Sequence, residues 1–362
     1  MTVANIVAAI DRRAPFSKAA SWDPVGLQIG DPTAAVERIA LCHEVTAEVV
    51  EAVETEDVDL LVSYHPLLFR PVDRLISGSD PPGLALRLAQ LATSLVVAHT
   101  NYDVAPGGSA DALAEVLGLE DAKGFGPLDG PEQVKFVTFV PEPAAPALLE
   151  AVAAAGAGEI GLYTHCSFQS AGFGTFRPGV GANPTAGAVG KVNHEPELRV
   201  EFVAGSGTQD AVAAALVAAH PYEEPAYDVF ERKGDARMIG RVGRVAPGTT
   251  VGSLAERVRS ALDPPPVRIA GDPGRALERV AVVPGAGADF LAQARAAGAD
   301  ALVTGDLTHH RAQQALRMGL ALVDPSHAAT ERPGLEALLA MLAVLGVECV
   351  NLLDLRANPW ES

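Results

Sequence analysis

The chain has 362 residues, 48% hydrophobic and 20% charged, with 45 acidic against 27 basic side chains and a formal net charge of −18. That length exceeds one ordinary core and predicts two domains, and the composition excludes a disordered or fibrous protein. No Lys/Arg-rich tract accompanies the acidity, so an electrostatic nucleic-acid footprint is missing.

Cys42, Cys166 and Cys349 are too few and too scattered for a disulfide framework or a thiolate zinc site. The longest apolar run, Ala337 to Val347, is roughly half the ~20 residues that span a bilayer. Asp11-Arg12-Arg13 soon after a short amphipathic stretch does not read as a signal peptide, and none is expected. A cytoplasmic protein without a membrane partner is expected.

Residues 2–13 read as a helix capped by Thr2, with Val3, Ile6, Val7 and Ile10 on one face. The stretch from Ser21 to Pro32 reads as a turn-rich connector. Arg38 to Cys42, Leu60 to Ser63 and Ser94 to Ala98 are apolar strands, separated by helices over 46–54 and 84–91 and followed by one over 110–117. Buried strands alternating with amphipathic helices predict an α/β layer structure with a largely parallel sheet. In such sheets ligands bind beyond the strand C-termini. His65, His99 and Asp103 fall there.

From Gly124 the texture changes, and the breaker cluster Gly126 to Pro131 marks a boundary. Strands are expected over 135–140, 197–204 and 226–231, helices over 146–155 and 208–219, and a hairpin with an extended loop over 164–190. Strand–helix–strand–strand–helix–strand is the ferredoxin-like order, which makes 129–236 an inserted α+β domain between α/β halves at 1–128 and 237–362. The α/β texture returns at Ile239, with a helix over 254–262 and a rigid break at Pro264-Pro265-Pro266. Strands over 279–283, 300–303 and 320–323 follow, each leading to a helix. The strand–helix alternation of 38–117 thus recurs at 279–345.

The last of these strands stops at Asp324-Pro325, and Pro333 is expected in the first turn of the following helix. His327 and Glu331 lie four apart at this junction, a spacing that puts both on one helix face and lets them grip one ion. The ligand types collected at strand ends are His65, Asp103, His327 and Glu331, with His99, His309 and His310 nearby. Imidazole with carboxylate and no thiolate suits Zn, Mn, Fe or Co without choosing among them.

Five ordered segments carry a resemblance. They are Trp22-Asp-Pro-Val-Gly-Leu-Gln28, Ser63-Tyr-His-Pro-Leu-Leu-Phe69, Ala98-His-Thr-Asn-Tyr-Asp103, Thr304-Gly-Asp-Leu-Thr-His-His310 and Ser326-His-Ala-Ala-Thr-Glu331. Together they resemble the NIF3-like family, also labelled GTP cyclohydrolase I type 2 homologues. The insert, through His220-Pro-Tyr-Glu-Glu-Pro-Ala-Tyr-Asp228, resembles the PII/CutA-like domain of the longer bacterial members.

The resemblance implies two similar α/β halves packed around a centre of one or two divalent ions (Zn, Mn, Fe or Mg) and a toroidal homohexamer. It implies His65, Asp103, His327 and Glu331 as ligands, Glu331 being the bridge. Where the family usually has two adjacent histidines this chain has Tyr64-His65, which makes Tyr64 a weak candidate ligand for one of the two positions. The family's acidic residue in a Thr-Gly-Glu-like turn is Asp306 here. Where relatives often carry Asp after the first strand this chain has His43-Glu44, and compensation by His43 is the less favoured reading.

The expected chemistry is metal-assisted hydrolysis of a C=N or ester-type centre in a small molecule or nucleotide. His99, His309 or His310 would serve as general acid or base. The rival readings are a non-catalytic metal-binding adaptor or sensor that acts through the insert, and a protein whose ions only tie the halves together.

Overall fold

Three short strands, Arg38–Cys42, Leu60–Ser63 and Ser94–Val97, run parallel side by side and bury almost every side chain. They are the centre of a five-stranded sheet in a computed structural model that describes residues 1–128, 133–161, 163–231, 237–262 and 266–355. Continuous apolar runs form such strands because both faces of a parallel sheet are covered. The chain divides into two compact units, Met1–Leu128 with Arg237–Ser362, and Asp129–Ala236.

In the first unit the stretch expected as a connector pairs at the sheet edge. Gly26–Ile29 lies antiparallel to Ser94–Val97. The other edge is Glu348–Asn351, from the far end of the chain, parallel to Arg38–Cys42. A second, six-stranded sheet repeats the plan: Ala321–Asp324, Ala301–Val303 and Arg279–Val282 run parallel, with Arg268–Ala270 antiparallel on one flank. Its other flank is Met238–Arg244, followed by Glu120–Pro127.

The two halves therefore exchange strands, since Glu120–Pro127 completes the second sheet and Glu348–Asn351 the first. Neither pairing has a local signal, because each joins segments distant in the chain. The strand pair Glu120–Pro127 and Met238–Arg244 is tied at one end by the Leu128 N–H donating to the Arg237 carbonyl at 2.7 Å.

The helix His327–Ala343 begins at the end of a second-sheet strand but packs on the first sheet. Leu335, Leu338 and Leu342 join Ile39, Leu41, Leu60, Val62 and Val96 in one apolar cluster. Gly334 lies so close to Ser109 that a Cβ would sit 2.6 Å from its Cα, and the Tyr102 hydroxyl donates to the Gly334 carbonyl at 3.0 Å. Pro333 is inside this helix and not in its first turn as expected. Ser326, at φ +88°, turns the chain so sharply that helical geometry already starts at His327. A proline there removes one hydrogen bond to the preceding turn, a loss the buried leucine face outweighs.

In the second unit the strands Gln133–Val140, Ser167–Phe176, Asn193–Gly205 and Tyr227–Glu231 form an antiparallel sheet with Gln133–Val140 between Asn193–Gly205 and Tyr227–Glu231. Helices Ala145–Ala154 and Gln209–Ala219 cover one face, packing Leu148, Val152, Val212 and Leu216 against Val134, Phe136, Val200 and Phe202. The expected break at Pro264 and Pro265 and the boundary residues 129–131 lie outside the described residues. No helix among the described residues is long and apolar enough to cross a membrane.

Candidate metal centre

Each of the three central parallel strands of the first sheet runs into a histidine: His43 after Arg38–Cys42, His65 after Leu60–Ser63, and His99 after Ser94–Val97. Backbone bonds fix their relative height, with the His65 N–H donating to the His43 carbonyl at 3.0 Å. From the second sheet comes the start of the helix that carries His327 and Glu331. Glu331 is 3% exposed and His43 4%.

The Glu331 carboxylate is shared among imidazoles. Its Oε2 lies 2.6 Å from His43 Nε2 and 3.3 Å from His65 Nε2, and its Oε1 lies 3.0 Å from His327 Nε2. The His327 contact falls off the line of a hydrogen bond, so that nitrogen and His43 Nδ1 are buried with no hydrogen-bond partner among the described residues. The other His327 nitrogen, Nδ1, is 2.8 Å from Asp306 Oδ2, which fixes the ring. Burial would raise the Glu331 pKa, but the imidazoles of His327, His43 and His65 around the carboxylate hold it well below the usual carboxylate range. Burial would lower that of His327, and the Glu331 and Asp306 carboxylates instead lift it to about 9. For His65 burial prevails over Glu331 and the pKa falls.

The donor atoms of His43, His65 and Glu331 all lie within 4.8 Å of one another, close enough to hold one ion. Two further features fit a divalent cation. The buried nitrogens of His43 and His327 lack partners, and buried polar atoms of this kind are rare unless a function uses them. Gly285, at φ +62°, leaves the space that the cluster occupies: a Cβ there would sit 2.5 Å from Glu331 Oε1 and 3.3 Å from His327 Nε2. Imidazole and carboxylate donors suit Zn, Mn, Fe or Co alike.

Of the residues expected as ligands, His65 and Glu331 come together with His43, and His327 joins through Glu331. Asp103 stands apart from that trio. It is buried, accepts a hydrogen bond from the Tyr64 hydroxyl, and burial pushes its pKa up to about 6 against the pull of His99 and Tyr64. Burial, then the Asp103 and Glu331 charges, drive the Tyr64 phenol well above its usual value. In this arrangement Tyr64 is a hydrogen-bond donor.

His99 is held by Asp23, a contact with no local signal in the sequence. Its Nδ1 is 3.1 Å from both oxygens of Asp23. Asp23 also accepts from the Thr100 N–H at 3.0 Å and is itself buried. Burial lowers the His99 pKa, but the Asp23 hydrogen bond and the charges of Asp103, Asp23 and Glu331 raise it overall. The His99 ring centroid is 5.1 Å from that of His65. His309 and His310 are exposed at the start of the helix His309–Arg317, their ring centroids 5.4 Å apart. Among the described residues neither makes a hydrogen bond, ion pair or ring contact with the cluster.

Comparison with known proteins agrees with this architecture. The profile of Duf34/NIF3 (NGG1p interacting factor 3) matches residues 1–358. A Halalkalibacterium halodurans protein named GTP cyclohydrolase 1 type 2 homolog is 34% identical over 332 residues, 90% of this chain and 89% of its own length. One of the same name from Mycobacterium tuberculosis is 40% identical over 337 residues, 91% of this chain and 88% of its own. The crystal structure of a Bacillus cereus protein related to NIF3 aligns with a TM-score of 0.66 at 32% identity, covering 100% of this chain and 99% of that one.

Proposed function

Since the chain belongs to the Duf34/NIF3 family, we propose that its histidine–glutamate cluster binds one or two divalent metal ions and serves a metal-dependent hydrolase. The observation that carries this reading is the division of Glu331, one oxygen among His43 and His65 and the other beside His327. A carboxylate so placed has a half-site on each side and is the ligand two ions would share. A bound ion would supply Lewis-acid polarisation at the substrate's reacting centre.

The chain's own side chains would do the rest. Asp306 orients His327, and Asp103 adds a carboxylate beside Tyr64. His99, with Nδ1 committed to Asp23, keeps Nε2 free to give or take a proton. His309 and His310 would exchange protons only with a substrate long enough to reach their helix. Curated relatives are named GTP cyclohydrolase 1 type 2 homologues, which makes GTP the substrate to try first. The assembly would be a cytoplasmic homohexamer with closed symmetry, its inserted domain of PII/CutA type, and light scattering that reports a monomer would reject the hexamer.

The rival is a non-catalytic metal-binding adaptor or sensor acting through residues 129–236. The deciding experiment measures metal content and GTP consumption for wild type and Glu331→Ala. Wild type should retain divalent metal through gel filtration and consume GTP in a metal-dependent way, and the variant should lose both. Retained metal with GTP untouched favours the rival, and unchanged metal in Glu331→Ala removes the bridge.

A further inference from the structure

The unit 129–236 contains a cavity of about 680 Å³, within the usual ~300–1,000 Å³ range of small-ligand sites. Its place follows from strand alternation. Val134, Phe136, Val140, Val200, Phe202 and Ala204 pack under the two helices, so Phe139 and Glu197, of opposite parity on the same strands, face the side that the helices leave bare. There the chain between Phe176 and Asn193 folds over the sheet. The Thr185 hydroxyl donates to the Pro221 carbonyl at 2.6 Å, and the Asn183 N–H to Glu223 Oε2 at 3.0 Å. These bonds hold a roof, and the space beneath it is the cavity.

Its wall is aromatic and acidic. The rings of Phe139, Phe173, Phe176 and Tyr222 line it, with the carboxylates of Glu197, Glu223 and Glu224 against the single guanidinium of Arg177. Arg177 already spends its Nε–H on the Gly190 carbonyl at 3.0 Å. Glu197 is only 8% exposed. The Tyr222 hydroxyl donates to its Oε1 at 2.6 Å. Its Oε2 has no protein partner among the described residues, nor does any cationic side chain pair with it. Room for this carboxylate comes from Gly174, where a Cβ would lie 2.0 Å from Oε2. A buried carboxylate without a counter-charge costs stability, and aromatic faces attract cations.

We infer that this cavity is a binding site for an organic amine with an apolar body, whose ammonium group pairs with Glu197 Oε2 while the rings enclose the rest. The acid excess on the wall disfavours phosphates and other anions. The residues that line it belong to the unit 129–236 and include none of the metal cluster, so the inference stands whether or not that cluster is catalytic.

The test uses the full chain and ligand-observed NMR with calorimetry, with phenethylamine as probe, and 3-phenylpropionate and ATP as anionic comparators. Phenethylamine should bind, and 3-phenylpropionate, with the same ring and the opposite charge, about tenfold more weakly or not at all. Glu197→Gln keeps the shape and should weaken the amine by about tenfold or more, the worth of a hydrogen bond to a charged group. Phe173→Ala trims a ring that is 79% exposed, so it spares the fold, and should weaken the amine several-fold. The inference is overturned if either anion binds as tightly as the amine, if folded Glu197→Gln binds the amine unchanged, or if wild type shows no amine binding at millimolar concentration.

Discussion

The Tyr64 hydroxyl donates a hydrogen bond to the carboxylate of Asp103, and both groups are shut away from solvent at 0% and 6% exposure. Tyr64 stands where the resemblance leads one to expect the first of two adjacent histidines, the second being His65. A neutral phenol is a poor ligand for Zn or Mn, so in the proposed two-ion centre the half-site on this side would be the weaker of the two. Tyr64→His should raise the number of metal ions per chain, read by elemental analysis after gel filtration. Unchanged stoichiometry would mean that Tyr64 only buttresses Asp103.

Gly285 offers a sharper test of the cluster. Gly285→Ala puts a methyl group against Glu331 at a left-handed backbone position, whereas Gly319→Ala adds one at φ +73° with nothing within 4 Å. The second variant should show the backbone penalty alone, about 1–2 kcal/mol in urea unfolding. The first should show that penalty, a further ~1–3 kcal/mol from crowding, and loss of metal. Equal effects on stability and metal content would show that Glu331 and His327 shift aside without consequence.

Asp23 should control the charge of His99. With Asp23→Asn the carboxylate is gone while burial remains, so the His99 pKa should drop from above its ordinary value toward or below it. An imidazole carbon-shift titration on metal-stripped protein reads this directly. If His99 titrates as before, Asp103 and Glu331 hold its proton and Asp23 is a loop anchor.

His220 predicts a pH dependence in the second unit. Its Nδ1 accepts the Tyr222 N–H at 3.1 Å and its Nε2–H donates to the Phe139 carbonyl at 3.0 Å, an arrangement for neutral imidazole only. Burial lowers its pKa, only partly offset by the Phe139 hydrogen bond and by Glu197. The folded state then binds fewer protons than the unfolded one, so stability is present above the ordinary histidine value of ~6.5 and is lost as pH falls below it. Amide exchange in Gln133–Val140 and Tyr227–Glu231, normalised for intrinsic rates, should speed up on that side. His220→Gln should flatten the slope; a slope unchanged in that variant would assign it to another group.

Leu60–Ser63 and Ser94–Val97 were legible in the sequence because an apolar run between turn signals has few alternatives. Gly26–Ile29 was not, since Pro24, Gly26 and Gly30 around it read as turns. Its partner, Ser94–Val97, comes from much later in the chain. Glu348–Asn351 is missed for the same reason, because a strand defined by a partner over 300 residues away leaves no local period. At the site, His65, His327 and Glu331 were found by their place at strand ends. The same rule applied to Arg38–Cys42 promotes His43, which the comparison with relatives that often carry Asp after the first strand left as the less favoured reading. Nothing local in Ser21 to Pro32 ties Asp23 to His99, since that contact exists only once the edge strand has docked.

The pairing of Pro127 with Met238, and of Leu128 with Arg237, means that the chain leaves and re-enters the first unit at touching residues. Geometrically that is the open end of a β-hairpin, a gap a two-residue turn can close. Residues 129–236 are therefore an excisable cassette: a chain joined from Leu128 through Asn-Gly to Arg237 has every strand of both large sheets and all of the histidine cluster. Such a miniature would separate whatever the metal cluster does from whatever residues 129–236 contribute, in one purification.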